Sequence, residues 1–226
     1  MKNLSEERRE RMISKLENLK LLHDDDDTLI SLNEIENAIK EKKFGLVYEE
    51  HVENVDDMLR ENIPVLTENI SEKVLTDKAK DWNFIIEGDN LQSLYLLEKT
   101  HKGKIDCIYI VPPYNTGAKT WRYNNDYVVQ EDAFKHSKWL SMMNERIRIA
   151  KQLLSPAGFF ILAIDANELF TIGLLLDEIF GEENRAGLVT VLHNPKGRNF
   201  TKWFSANSEY MLVYTNNASI ASFNSV

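Results

Sequence analysis

The stretch "IDCIYIVPPYNTG", residues 105–117, runs a β-prone segment straight into two prolines and a tyrosine. Ile105 to Ile110 suit a strand. Pro112 and Pro113 then fix φ and offer no N–H, so a sheet ladder cannot continue through them. The chain leaves the strand stiff and extended, its carbonyls beside the ring of Tyr114, and Asn115, Thr116 and Gly117 permit a turn. Acceptors beside a flat aromatic face suit an amino group on a planar ring, such as the exocyclic amine of a nucleobase. A strand end with a packed tyrosine is the plainer alternative for these residues alone.

Outward from this corner, residues 81–226 alternate short apolar runs with amphipathic helical patterns. "NFIIEG" (83–88) reads as a strand, "DNLQSLYLLEKT" (89–100) as a helix and "IDCIYI" as a strand. A long helix is expected over 131–154, ended by "SPAG" before the strand "FFILAI" (159–164). Another helix is expected through "ANELFTIGLLLDEIFG" (166–181), then the strands "GLVTVLH" (187–193) and "EYMLVY" (209–214). Strands separated by helices imply an α/β fold with a parallel sheet, in which ligands bind beyond the carboxyl ends of the strands. The last two strands lack a helical connection and suit an antiparallel ribbon at the sheet edge.

Residues 1–80 read as an acidic, mainly helical region, with 13 Lys/Arg against 20 Asp/Glu. "LSEERRERMISKLENLKLL" (4–22) sets Leu4, Met12, Leu16, Leu19 and Leu22 near one helical face. The run Asp24 to Asp27 lacks the ligand alternation and central glycine of a calcium loop, so a solvated turn that caps the next helix is expected. A second helix is expected over 31–42. The formal charge of −9 argues against a generally basic surface, yet Lys196, Arg198 and Lys202 lie in an acid-free stretch, "HNPKGRNFTKWFSANS" (193–208). Beside Phe200, Trp203 and Phe204 they suit contacts to phosphates and bases, or else a solvated loop. The single cysteine, Cys107, sits in an apolar run and reads as a core thiol, which excludes an intrachain disulfide. The charged start and short apolar runs point to a cytoplasmic protein with no membrane span. Five scattered histidines give no metal-ligand spacing.

The ordered blocks "GDNLQSL", "IDCIYIVPPYNTG", "LSPAGFFILAID" and "NPKGRNFTKWFSANSEYMLVY" resemble the amino-methylating DNA methyltransferases. The nearest likeness is to the adenine-specific modification (Mod) subunit of type III restriction-modification systems. It is strong over 84–216 and extends more loosely to "FGLVYEEHVENV" and "NIPVLTE". The resemblance implies part of a Rossmann-like methyltransferase sheet with helices on both faces, preceded by a small helical region. It further implies that S-adenosylmethionine methylates the 6-amino group of an adenine flipped out of double-stranded DNA. Carried over by position, Pro112 supplies a main-chain carbonyl to the amine, Pro113 stiffens the corner and Tyr114 stacks on the base. Asp89 lies near the cofactor pocket or caps the following helix. Lys196, Arg198 and Lys202 contact DNA, no metal is used, and the partners are a restriction (Res) subunit and a second copy of the full-length form.

Two departures stand out. The family motif begins with an aspartate, or an asparagine or serine, where this chain has Val111. Losing one transition-state hydrogen-bond partner costs about a hundred to a thousandfold in rate, so methyl transfer is expected to be severely weakened while the fold tolerates valine. The Gly-containing "FxGxG" cofactor motif is also absent from these 226 residues, so half of the cofactor pocket is expected to be missing. Two further readings stay open: an inactive interaction module that pairs with a restriction subunit, itself or DNA, and methylation of the cytosine 4-amino group.

Overall fold

The computed structural model describes residues 4–40, 46–73, 83–116, 134–193 and 207–223. Contacts divide the chain into two compact units, Met1–Gly45 and Leu46–Val226. The boundary expected at residue 80 therefore falls inside the second unit. The reason is that Leu46 and Tyr48 pack against the main core, while Ser137 and Ser141 accept the Glu49 and His51 N–H groups.

The first unit is a helical hairpin of α1 (Leu4–Lys20) and α2 (Asp26–Lys40). Leu16 and Leu32 are buried in it, and Glu36 pairs with both Lys20 and Lys40. Hydrogen bonds from the two ammonium groups hold the Glu36 carboxyl down at about 2. Within the aspartate run, Asp25 accepts the Thr28 N–H at 2.8 Å, which caps α2 as the sequence suggested.

The second unit is built on four strands: β1 (Ile105–Ile110), β2 (Leu154–Ile164), β3 (Arg185–Leu192) and β4 (Ser208–Thr215). Their order is β1-β2-β4-β3. β1 and β2 are parallel and β4 is antiparallel to both its neighbours, so β4 alone is reversed. The sheet is mixed rather than parallel, because β3 and β4 form the expected antiparallel ribbon. β4 inserts beside β2 and leaves β3 at the edge. Helices α3 (Asn54–Glu61), α4 (Asn90–His101), α5 (Lys135–Leu153) and α6 (Leu169–Phe180) complete the unit.

Alternation along β2 sends Phe160, Leu162 and Ile164 into the core with Trp139, Leu140 and Ile147 of α5 and Ile172, Leu175 and Leu176 of α6. Phe180 stacks between Phe160 and Tyr214. Beneath them, the buried Asp177 accepts the Tyr214 hydroxyl at 2.6 Å and the Arg185 Nε at 2.9 Å. At the start of β2 the chain bulges, and a Cβ on Gly158 would lie 2.9 Å from the Ile105 carbonyl oxygen. Glycine is what lets the "SPAG" segment approach β1 so closely.

The opposite face, carrying Cys107, Tyr109, Phe159, Ile161, Met211 and Val189, has none of the second unit's described helices over it. Tyr109 is 58% exposed, and Phe223 stacks on Phe159 at 4.5 Å. Cys107 is thus exposed, not a core thiol: it shares a side of β1 with the exposed Tyr109. The expected strand at 83–88 is extended chain without a ladder, and Ile85 is 98% exposed. An apolar β-type run becomes a strand only when another strand supplies its hydrogen bonds, and none lies beside it among the described residues.

One-sided burial makes a quantitative prediction. Phe160→Ala should cost about 3–5 kcal/mol in urea unfolding of the full chain, whereas Val189→Thr on the open face should stay within about 0.5 kcal/mol. Comparable losses would mean that both faces are covered.

Candidate base-binding site

β1 ends at Ile110, and the next three residues turn out of the sheet at its carboxyl end. Val111, Pro112 and Pro113 line one side of a cleft of about 1000 Å³. Asp89, Asn90, Trp139 and Arg146 line it as well. The sequence-expected residues Asp89, Val111, Pro112 and Pro113 therefore come together on one cleft. Pro112 is buried, whereas Val111 is 58% exposed at the surface where the family's acceptor is expected.

The carbonyl of Pro113 is already used. The buried Trp139 donates its indole Nε1–H to it at 2.7 Å, fastening the corner to α5. Arg146, one face of α5 further along, donates Nε–H to Asn90 at 2.6 Å and pairs with Glu53. The cleft wall is thus tied across α3, α4 and α5. Asp89 is the N-cap of α4: its Oδ1 accepts the Leu91 N–H at 2.8 Å and the Gln92 N–H at 3.3 Å. Its structural role is realised, and it reaches the cleft at the same time.

Tyr114 turns away from the cleft lining toward β4, where its hydroxyl donates to Glu209 Oε2 at 3.2 Å. Burial first, and then the Glu209 charge, push its phenol up to about 12. Asp165, just beyond β2, is raised by burial and by the nearby Glu209 and Glu168. Carboxylates therefore crowd the polar side of the corner.

Lys196, Arg198, Lys202 and Gly117 lie outside the described residues. The ends of the 194–206 segment are described: His193 N–H donates to the Asn207 carbonyl at 3.0 Å. β3 runs in the direction of β1, so this connection leaves the sheet at the same end as the proline corner. Sequence reasoning missed Trp139, Arg146 and Glu168, because each acts across a distance in the chain that no local motif spans. Among the described residues no group of three or more His, Cys, Asp or Glu is placed to hold a metal ion. No helix among them is long and apolar enough to cross a membrane.

The raised phenol predicts a titration. Absorbance at alkaline pH should show a tyrosine component near 12, to which Tyr95 and Tyr114 both contribute, and Tyr114→Phe should reduce it by one tyrosine. A raised pKa favours the neutral form in the fold. The stabilisation is therefore complete below the unfolded value of about 10 and is lost as the pH climbs through the folded one. A Tyr114 component at the unfolded value would contradict the partly buried hydroxyl and its Glu209 contact.

Comparison with known proteins gives consistent relatives. The chain is 30% identical over 187 residues to the Mod subunit of the type III restriction-modification enzyme EcoPI from Escherichia phage P1, covering 71% of this chain and 29% of that protein. It is 38% identical over 128 residues to the type II methyltransferase M.KpnI of Klebsiella pneumoniae, covering 56% of this chain and 31% of the relative. The chain thus spans less than a third of the length of either. Among solved structures, the M1.HpyAVI–SAM complex aligns over 62% of this chain and 58% of its own, at 16% identity and a TM-score of 0.40. The family model described as DNA methylase (N6/N4) matches residues 105–225, from the first residue of β1 past the end of β4, and over that half of its length the chain belongs to the DNA methylase family.

Proposed function

We propose that this chain is the base-binding part of an adenine-specific DNA methyltransferase of the type III Mod kind, acting on double-stranded DNA with S-adenosylmethionine as methyl donor. The observation that carries the reading is the corner itself: a Pro-Pro-Tyr turn at the carboxyl end of β1, its prolines lining a large cleft, its tyrosine turned toward β4 and its geometry locked by the Trp139–Pro113 bond. In this reading Pro112 offers its carbonyl to the 6-amino group of a flipped adenine. Tyr114 stacks on the base, a contact of about 1 to 3 kcal/mol. The amine is a weak nucleophile because its lone pair is delocalised into the ring, so acceptors that localise the pair accelerate the reaction.

The cleft suits a cofactor in size, since ligand pockets are typically about 300–1000 Å³. Asp89 and Asn90 are among the polar residues of the cleft that would face S-adenosylmethionine, which supplies an electrophilic methyl group. Lys196, Arg198 and Lys202 would contact DNA phosphates, from a connection whose ends lie at the corner's end of the sheet. A Res subunit and a second copy of the longer protein are the expected partners, in the cytoplasm.

Val111 leaves the corner without the side-chain acceptor of the family. Its exposure on the cleft means that an aspartate would fit without disturbing the core. A second reading rests on that residue together with the uncovered sheet face: an inactive module that keeps the fold in order to pair with other subunits.

Methylation separates the two readings. Carried in a Mod subunit of the relatives' length, Val111→Asp should transfer tritiated methyl groups from S-adenosylmethionine to adenine in DNA about a hundredfold or more faster than Val111. Equal rates would remove the assigned role of this position. In the chain as it stands, Tyr114→Ala should weaken binding of an adenine-containing single strand by about 5- to 100-fold. Unchanged binding would favour the module.

A further inference from the structure

Glu168 caps the start of α6 by position, yet its side chain makes no capping bond. Instead the carboxylate turns inward and is completely buried. Burying a charge is costly unless donors surround it, so its partners show what the burial accomplishes. Asn115 donates its Nδ2 to Glu168 Oε1, His136 Nδ1 lies 2.6 Å from the same oxygen, and the Thr171 hydroxyl lies 2.5 Å from Oε2. One carboxylate thereby joins the turn after Tyr114, the first turn of α5 and the first turn of α6.

Asn115 is the residue that most needs such support. It has φ of 53°, the one non-glycine residue with positive φ in the described chain, and it is 6% exposed. Asparagine enters the left-handed region more readily than other side-chain-bearing residues, but still at some cost. Its Nδ2 also lies 3.4 Å from the Lys135 carbonyl, while its buried Oδ1 has no partner among the described residues. The amide is therefore held by its donor side, chiefly through Glu168. Tyr114 precedes Asn115 directly, so its ring is fixed from two directions: by its hydroxyl on Glu209 and by the backbone that Glu168 pins.

We propose that Glu168 is a positioning residue for the base-binding corner, holding Asn115 in its left-handed conformation so that Tyr114 and the prolines keep one geometry. Its importance for adenine rests on the function proposed above; the holding itself does not. A simple helix start would be served better by Ser, Thr, Asp or Asn, whose short side chains cap. A purely packing role would be served by an apolar residue of similar volume. Neither alternative calls for a buried carboxylate shared by three segments around one turn.

The test uses the Trp139 indole N–H, bonded to Pro113, as a reporter within the corner. Hydrogen exchange at this group is measured by NMR in the full chain and corrected for global stability, alongside binding of an adenine-containing oligonucleotide. Glu168→Ala should accelerate indole exchange about tenfold and weaken oligonucleotide binding about fivefold, with Glu168→Gln, which keeps an acceptor, recovering part of both. Asp177→Asn, in the separate Arg185–Tyr214 network, should lower stability and leave both readouts near those of the parent chain. If Glu168→Ala does not fold, Asn115→Asp breaks the same link by setting two carboxylates together, and it should accelerate exchange similarly. The inference is overturned if exchange in the Glu168 and Asn115 variants rises no more than in Asp177→Asn. A normal exchange response in a parent chain that binds no adenine oligonucleotide would instead overturn the functional reading and leave Glu168 in its role.

Discussion

A strand that ends in two prolines loses its ladder at once, and every polar group beyond that point must find a partner elsewhere. This requirement organises the second unit. The Pro113 carbonyl is taken by the Trp139 indole, the Asn115 amide by Glu168 and the Tyr114 hydroxyl by Glu209. These partners come from α5, from the start of α6 and from β4. The corner is consequently held by side chains from elements that follow it in the chain, and α5 must lie along the sheet before its tryptophan can reach the corner. The packing of Trp139 in the main core supplies that alignment.

The same economy explains the cleft. Arg146 closes its α3 and α4 side through Glu53 and Asn90, and the proline corner closes the other. Between these walls the lining is largely apolar, with Ile108, Ile110 and Met143 among it. Polar contacts are set at the rim, where they give direction, and apolar surface fills the space between them. Such a division suits recognition of a flat ligand with few, well-placed polar atoms.

Much of this was legible in the sequence, and the exceptions have specific physical reasons. The helices other than α3, with β1, β2 and the final ribbon, followed from periodicity and from turn residues, whereas the segments around Asn54–Glu61 read as irregular. The proline corner could be read because Pro112 and Pro113 forbid a ladder whatever surrounds them. "NFIIEG" misled because a strand is defined by its partner, and composition records only the willingness to pair. Cys107 misled for a related reason: its apolar neighbours Ile108 and Ile110 point to the covered face, while Cys107 shares the other with Tyr109. Glu168 was illegible since its significance depends on meeting a residue 53 positions earlier. Local motifs disclose what one segment can do; which segments meet is decided by the sheet order.

The open sheet face gives this chain a chemical handle. Its only cysteine stands there, beside an exposed tyrosine, on a strand whose other edge has no ladder among the described residues. Anything that settles over that face at β1, whether further chain or another subunit, must bury the sulfur along with it. Reactivity of a single thiol toward an alkylating reagent thus becomes a direct gauge of whether the β1 side of the sheet is covered.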